Sequence, residues 1–191
     1  MNEQIQKAIE ILNQGGIIIF PTDTAFAIGC RMDRSEAIKR LFNIRKRPSN
    51  QPVLVLVNGL EMAQEYLQPL DEKVKELMRK YWPGALTVVC KCKIDKVYSL
   101  IRGNGKTLGV RMPDHKIALE LIRNTGVPIL GPSANFHGEK TPYKFEDLNP
   151  DLVKLADLVL TGEASNLGKV STVLDCSISP WKIIRQGAIR I

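Results

Sequence analysis

Histidine and cysteine are scarce in this sequence, which holds two histidines and four cysteines among 191 residues. A structural zinc site usually needs about four such ligands at close, finger-like spacing. The four cysteines, Cys30, Cys90, Cys92 and Cys176, do not have that spacing. The sequence therefore excludes a zinc domain and favours cysteines that are buried as apolar thiols in a reducing compartment.

Long hydrophobic runs are also missing. The longest run, 53–57, holds five apolar residues, and the run at 17–20 holds four, whereas a membrane-spanning helix needs about 20. The first residues, Met1-Asn2-Glu3-Gln4, lack the basic-then-apolar pattern of a signal peptide. We therefore expect a cytoplasmic protein that does not bind a membrane.

The composition is that of an ordinary globular protein, with 44% hydrophobic and 25% charged residues. These fractions argue against intrinsic disorder and predict one domain over residues 1–191. The net charge of +7 indicates an anionic partner. Nucleotide phosphates and RNA both fit, and charge alone does not distinguish them.

Helical and strand patterns alternate along the chain and predict an α/β fold with a twisted, mixed β-sheet flanked by helices. Apolar residues at helical spacing, with Asp33, Asp71 and Asp114 at N-terminal caps, predict helices over 5–12, 33–43, 71–81 and 114–126. Short apolar runs predict strands over 17–20, 53–57, 86–90, 108–112, 128–130, 158–160, 170–174 and 183–184.

Polar and cationic side chains follow several of these elements. Thr22, Asp23 and Thr24 come directly after the first strand, a position where α/β proteins bind ligands. The alternative is a capped turn, and turn-capping is the role that we expect for Asp23. Arg45-Lys46-Arg47 suits a triphosphate because guanidinium groups match phosphate oxygens. A solvated helix end explains these cations equally well.

Two later segments have similar features. Thr107 and Arg111 lie four residues apart, so an extended strand places them on one face, where they could bind a carboxylate or a phosphate or form a rim ion pair. The preceding 103–106 segment lacks the earlier glycine of a Walker A loop and precedes a strand, so it is predicted to be a turn. The small residues of 131–135 would let backbone N–H groups approach a ligand.

Seven motifs in order resemble those of the YrdC/Sua5 family of threonylcarbamoyl-AMP synthases. The resemblance covers roughly residues 5–190, and its motifs are Pro21-Thr22-Asp23-Thr24, Arg45-Lys46-Arg47-Pro48, Trp82-Pro83-Gly84-Ala85-Leu86-Thr87, Val110-Arg111-Met112-Pro113, Ser133-Ala134-Asn135, Ser171-Thr172-Val173-Leu174-Asp175 and Ile184-Arg185-Gln186-Gly187. Each motif is weak alone, but their order along one chain is specific.

The resemblance implies an enzyme that makes threonylcarbamoyl-adenylate and pyrophosphate from L-threonine, bicarbonate and ATP. Partner proteins would transfer the threonylcarbamoyl group to tRNA. It implies that ATP is bound by Arg47, Gln51, Thr107, Ser133, Asn135, Thr141 and Arg185, and that Arg45 adds positive charge at the triphosphate. Threonine would be bound by Thr24, Arg111, the Gly131 backbone and Ser171. Arg45 and Arg47 are the expected catalytic residues.

The sequence departs from the family pattern at three positions. Arg45 stands where the family has a lysine, Phe26-Ala27-Ile28 replaces Tyr-Gly-Leu, and Leu56 stands where one branch has a histidine. These departures bear on the threonine contacts. Because the sequence stops at Ile191, we also expect the short form of the family, without the additional C-terminal domain of longer members.

Catalysis by such an enzyme would depend on charge neutralisation and in-line placement, because both the carbamate and the triphosphate are anions. Mg²⁺ would accompany ATP, held by phosphates and water, with Asp23 as a possible outer ligand; no organic cofactor and no protein-held metal are expected. Two rival functions remain: an RNA-binding or tRNA-binding module, and a carbamoyl-transfer paralogue with another acceptor.

Overall fold

A computed structural model describes residues 3–164 and 167–191 of the chain. Its helices are α1 (Glu3–Asn13), α2 (Ser35–Ile44), α3 (Leu60–Tyr66), α4 (Glu72–Tyr81), α5 (Lys116–Thr125) and α6 (Pro150–Val153). Its strands are β1 (Ile18–Pro21), β2 (Phe26–Gly29), β3 (Val55–Leu56), β4 (Leu86–Lys91), β5 (Thr107–Arg111), β6 (Ile129–Leu130), β7 (Leu158–Val159), β8 (Thr172–Asp175) and β9 (Lys182–Arg185).

The strands form two sheets that are joined edge to edge. One has the order β2-β1-β7 and the other the order β6-β3-β5-β4-β8-β9. Backbone hydrogen bonds from Ile28 to Pro132 (3.0 Å) and from Leu130 to Cys30 (2.9 Å) connect β2 to β6. Parallel pairs, β3 with β5 and β4 with β8, alternate with antiparallel ones, so the predicted mixed sheet is confirmed.

Strand β1 lies at the centre of one core layer. Its four residues are all buried, and the apolar faces of α1 and α5 pack beside it. On α1 the buried residues Ile5, Ala8 and Leu12 have the three- to four-residue spacing that predicted this helix. A fully buried Leu or Ile contributes about 1.5–3 kcal/mol, which makes this layer the support for the loop that follows β1.

The predicted helix caps have mixed outcomes. The Asp71 side chain accepts a hydrogen bond from the Lys73 backbone at the start of α4, and Gly126 ends α5 with a φ of 71°, so both predictions are confirmed. The prediction for Asp33 is wrong, because its carboxylate pairs with Arg31 and α2 begins after Arg34 without a side-chain cap. The prediction for Asp114 is also wrong, since His115 takes the cap position and makes no cap hydrogen bond.

The predicted strands are in the right places, but their bounds differ. The 53–57 segment pairs as a strand only over Val55–Leu56, and the 183–184 strand extends to Lys182–Arg185. Strand β2 and helices α3 and α6 were not predicted. Helix α3 follows Gly59 without a side-chain cap. Helix α6 has an N-terminal cap, because Asn149 accepts a hydrogen bond from the Asp151 backbone, but its four residues are too few to show helical periodicity.

The register of the six-stranded sheet places a set of side chains on one face. Val89 pairs with Gly109 on β5 and with Asp175 on β8. Because successive side chains alternate between faces, residues two positions away share that face: Thr87, Thr107, Arg111 and Val173. The other face carries Val88, Val110 and Leu174, which are buried in the core.

Among the described residues, none of the helices has both the length and the apolar character that crossing a bilayer requires.

Gly131 is a position where the packing leaves no room for a side chain. A Cβ placed there would lie 2.4 Å from Leu56 Cγ, well inside van der Waals contact. The Leu56 side chain is 1% exposed and fills the space beneath Gly131. At the position where one branch of the family has a histidine, Leu56 therefore packs against Gly131.

We expect Gly131→Ala to destabilise the fold by about 1–3 kcal/mol, because the new methyl group overpacks against Leu56. The measurement is chemical denaturation. Gly59→Ala is the control, since a Cβ there meets no atom within 4 Å. In the double variant Gly131→Ala, Leu56→Ala, the loss of unfolding free energy should be smaller than the sum of the losses in the two single variants. Equal stability of the two glycine variants would contradict this packing.

Candidate active site

A cavity of about 430 Å³ lies over the face of the six-stranded sheet described above. Strands β4, β5 and β8 form its floor, and the loops after β1, α2 and β6 form its walls. Of the twelve residues predicted for substrate binding and catalysis, ten line it: Thr24, Arg45, Arg47, Thr107, Arg111, Gly131, Ser133, Thr141, Ser171 and Arg185. Segments far apart in sequence thus converge on one site.

Two predicted site residues, Gln51 and Asn135, do not line the cavity. Gln51 contributes its backbone, because its carbonyl accepts a hydrogen bond from Arg47 Nε at 3.2 Å. Asn135 is buried behind the wall. Its side-chain oxygen accepts from Ser133 Oγ at 2.6 Å, and its amide donates to the Glu139 carbonyl at 2.7 Å. Both residues support the wall from outside.

The turn after β1 is capped by a different residue from the one predicted. The Thr22 hydroxyl donates to the Ala25 carbonyl at 2.7 Å and accepts from the backbone N–H groups of Thr24 and Ala25. The prediction that Asp23 caps this turn is wrong. Its carboxylate instead forms an ion pair with Arg111, and both side chains are almost fully buried.

Arg111 joins three parts of the site. Its Nε donates to the Gly84 carbonyl at 3.0 Å, its Nη1 to Thr24 Oγ1 at 2.7 Å, and its Nη2 to Asp23. Burial lowers the pKa of this guanidinium, and the Asp23 carboxylate opposes that shift. The prediction that Thr107 and Arg111 share one face of the strand is confirmed, because both line the cavity. The ion pair of Arg111 with Asp23 is buried, so the alternative of an ion pair at the rim is wrong.

Arg45 is a buried cation without a carboxylate partner. It is 3% exposed, and its Nε donates to the Asn135 backbone carbonyl at 3.1 Å. Its Nη1 has no hydrogen-bond partner among the described residues. Burial, and then the charge of Arg47, lower the pKa of Arg45 to about 10. An uncompensated buried charge is costly, so this side of the cavity is prepared for an anion.

Arg47 completes that cationic wall, whereas Lys46 between the two arginines does not line the cavity. The Arg47 guanidinium donates to the backbone carbonyls of Gln51 and Pro52, and burial lowers its pKa. Lys46 has a left-handed φ of 51°, and its ammonium group lies 5.0 Å from the centre of the Phe136 ring. This turn at Lys46 lets Arg45 and Arg47 both face the cavity. The cations do follow the end of α2, whose C-terminal cap residue is Arg45. The solvated helix end describes the exposed Lys46, but it does not describe the buried Arg45.

The opposite wall is built on β8 and β9. Arg185 donates to the Ser171 carbonyl and hydroxyl at 2.9 and 3.1 Å. The Ser171 hydroxyl also lies 2.9 Å from the hydroxyl of Thr87, which lines the cavity. Thr87 was missed from the sequence, although it lies in one of the quoted motifs. Side chains alternate between the two faces of β4, so a polar Thr87 next to the apolar core residue Val88 indicates that Thr87 lies on the face opposite the core.

The site is strongly cationic. Four arginines line the cavity, and the Asp23 carboxylate pairs with Arg111 at the wall. Ser and Thr hydroxyls lie between the arginines and offer neutral hydrogen bonds. The described cysteines, by contrast, are unreactive, because burial raises the pKa of Cys30, Cys90 and Cys176 to about 12. Such an arrangement can hold an anionic substrate and stabilise negative charge, without a nucleophile.

The tyrosine-to-phenylalanine departure also lies at the cavity. Phe26 is 1% exposed among the lining residues, and its ring contacts the edge of Phe145 with centroids 6.0 Å apart. The phenyl ring is thus held by packing, and the hydroxyl that the family pattern carries here is not needed for the fold.

Comparisons with known proteins agree with one another. The family model for Sua5, YciO and YrdC, described as telomere recombination, matches residues 10–187. A threonylcarbamoyl-AMP synthase of Bacillus subtilis is 35% identical over 186 residues, which are 97% of this chain and 54% of that protein. The chain therefore spans about half the length of this relative.

Solved structures share the fold. Sua5 of Pyrococcus abyssi complexed with L-threonine superposes with a TM-score of 0.92 at 31% identity, over 96% of this chain and 54% of that one. YciO of Escherichia coli superposes with a TM-score of 0.86 at 29% identity, over 96% of this chain and 88% of that one.

We expect Asp23→Asn to lower the free energy of unfolding by about 3–5 kcal/mol, because it leaves the Arg111 cation buried without a counter-charge. Denaturant titration measures this change. Asp151→Asn removes an exposed ion pair with Lys154 and should cost under about 1 kcal/mol. If the two variants lose the same stability, the Asp23–Arg111 pair does not organise the site.

Proposed function

We propose a function for this chain from one premise: it belongs to the Sua5, YciO and YrdC family, whose model matches nearly its whole length. On that premise the chain is a nucleotidyltransferase that forms L-threonylcarbamoyl-adenylate and pyrophosphate from L-threonine, bicarbonate and ATP. The curated relative named as this synthase and the threonine-bound relative support the proposal.

One observation carries the proposal: Arg45 is buried with an unpartnered Nη1 beside Arg47, at the wall of a cavity with a hydroxyl-rich floor. A buried cation of this kind gains most from a polyanion, because a bound triphosphate supplies both counter-charge and hydrogen bonds. A neutral ligand would leave Arg45 uncompensated. ATP is the polyanion that the proposed reaction uses.

The two substrates would take different parts of the cavity. The nucleotide would be bound by Arg45, Arg47, Thr107, Ser133, Thr141 and Arg185. Gln51 and Asn135 would act through the arginines that donate to them. Threonine would lie near Thr24, Arg111 and Ser171, with Gly131 allowing close backbone approach. Because two Arg111 nitrogens already donate to Thr24 and Asp23, Arg111 keeps only its remaining N–H groups for a substrate carboxylate.

The reaction would begin with attack of the threonine amine on bicarbonate, which gives a carbamate and releases water. A carbamate oxygen would then attack the α-phosphorus of ATP, and the bond to pyrophosphate would break. Both reactants carry negative charge, so their approach is the principal barrier. Arg45 and Arg47 would lower it by stabilising the charge that develops on the leaving pyrophosphate.

Other parts of the proposal concern the surroundings of the reaction. Mg²⁺ would enter with ATP, held by phosphate oxygens and water, because the described residues contain no cluster of three or more His, Cys, Asp or Glu side chains suited to a metal. Proteins that transfer the threonylcarbamoyl group to tRNA would use the product, with tRNA itself a possible contact. A cytoplasmic location and a single domain over residues 1–191 belong to the same proposal.

The direct test incubates the protein with ATP, bicarbonate and each amino acid in turn, and detects the adenylate by mass spectrometry. We expect a product whose mass requires threonine and bicarbonate together. Threonine-independent binding of RNA that weakens steeply with salt would favour the RNA-binding alternative. Product formation with a different acceptor would favour the carbamoyl-transfer paralogue.

We expect Arg47→Ala to lower the rate of pyrophosphate release by about 10²–10³, since it removes one preorganised charged donor. Pyrophosphate release is measured with a coupled assay, and the melting temperature should change little. Arg79→Ala is the matched control, because Arg79 is exposed on α4 and pairs with Glu72. An Arg47→Ala enzyme with the wild-type rate would remove Arg47 from the site.

A further inference from the structure

Thr87 is a cavity-lining residue that has no role in the proposal above. It lies in the floor of the cavity, yet only 1% of its surface is exposed. So little surface leaves almost no contact with a ligand. A residue in this position acts on a substrate through the side chains that it holds, so its hydrogen-bond partner decides what it can do.

The strand register places Thr87 between the two floor residues proposed for threonine. Val88 of β4 pairs with Val110 of β5 in antiparallel register. Continuing that register by one residue sets Thr87 opposite Arg111. On its other side β4 pairs with β8, and Ser171 directly precedes that strand. Thr87 is therefore the central one of three neighbouring polar side chains.

The Thr87 side chain has one hydrogen-bond partner among the described residues. Its Oγ1 lies 2.9 Å from the Oγ of Ser171. Ser171 is also almost fully buried, with 2% of its surface exposed. A hydrogen bond between buried hydroxyls is well defined, because water does not compete for either group.

Ser171 accepts a further hydrogen bond from Arg185. The Arg185 Nη2 donates to Ser171 Oγ at 3.1 Å and to the Ser171 carbonyl oxygen at 2.9 Å. A hydroxyl group has two lone pairs and one proton. If Thr87 also donates to Ser171 Oγ, both lone pairs are occupied. The Ser171 proton is then left for a ligand in the cavity.

The charges around the two hydroxyls favour that direction of the hydrogen bond. Arg111 is paired with Asp23, whereas Arg185 forms no ion pair within the part of the chain that the structure describes. An uncompensated cation favours a ligand oxygen that carries negative charge. Such an oxygen can only accept hydrogen bonds, so Ser171 donates to the ligand and Thr87 donates to Ser171.

We propose that Thr87 is a positioning residue for threonine: by donating to Ser171 Oγ, it makes the Ser171 hydroxyl a donor to the substrate carboxylate. The inference rests on the proposed function, in which Ser171 and Arg111 bind threonine. Each donor in a chain of hydrogen bonds strengthens the next one, so Thr87 improves Ser171 as a donor. The threonine ammonium group, which has no lone pair, finds no acceptor at Ser171.

Thr87→Val tests the hydroxyl group while keeping the branched shape of the side chain. Ser171 can then turn its proton towards its own surroundings and away from the substrate. We expect the KM for threonine to rise about fivefold, the size expected for one neutral hydrogen bond. The kcat and the KM for ATP should stay within about twofold, because the carboxylate does not react and is held equally in the ground and transition states.

Two further variants separate positioning from packing. Thr87→Ser keeps the hydroxyl group and should have a threonine KM within about twofold of the wild type. Ser171→Ala should raise the threonine KM, and adding Thr87→Val to it should raise the KM no further, because Thr87 acts only through Ser171. Effects that multiply in the double variant, or a KM in Thr87→Ser as high as in Thr87→Val, contradict the proposal.

Thr125→Val is the matched control. Thr125 is also a buried threonine, but its hydroxyl donates to the Leu121 carbonyl within α5 at 3.0 Å. The residue does not line the cavity. Removing this hydroxyl changes only the end of a helix, so the threonine KM should keep the wild-type value. A rise equal to that in Thr87→Val would show a general loss of stability, and the positioning role would be wrong.

Titration calorimetry with L-threonine distinguishes failure of this inference from failure of the proposed function. The affinity of Thr87→Val for threonine should also be about fivefold lower than that of the wild type. A wild type that neither binds threonine nor forms the adenylate overturns both proposals. If the wild type forms the adenylate and Thr87→Val keeps the wild-type KM and affinity for threonine, only the positioning role is overturned.

Discussion

The site depends on two buried guanidinium groups, of which one is paired with a carboxylate and the other is not. Arg111 receives a carboxylate, a hydroxyl and a carbonyl from the loop after β1 and the turn before β4. Removing two charges from water is expensive and is offset only when geometry and hydrogen bonds are nearly complete. That requirement fixes the loop, the turn and β5 relative to one another, and therefore fixes the floor.

Arg45, unlike Arg111, is buried without a carboxylate partner. It is as buried as Arg111, but the fold gives it only an asparagine, and one nitrogen is left without a partner. The contrast divides the cavity into a wall that is complete without a ligand and a wall that is not. Under the proposed function, a substrate anion would complete the second wall, and its charge would offset the unfavourable burial of Arg45.

Sequence patterns anticipated the convergence of the loops but not the roles within them. Arg45, Arg47, Ser133 and Arg185 could be grouped because seven short motifs in order resemble one family. Asp23 was misassigned, since a carboxylate next to two threonines favours a local turn, and its actual partner lies 88 positions away on β5. Thr87 was missed because its position at the cavity follows from strand register, which local sequence specifies weakly.

The same register explains why one face of a sheet can orient an asymmetric ligand. Arg45 and Arg47 lie at the β3 side, Arg185 lies at the β9 edge, and Arg111 lies on β5 between them. Asp175 and the apolar residues Val89 and Val173 line the cavity on β4 and β8. Under the proposed function, a nucleotide bound in reverse would place its phosphates against Asp175 and its base against Arg45. Both contacts are unfavourable. For such a ligand, the charges that line the cavity would oppose the reversed orientation as well as favour the proposed one.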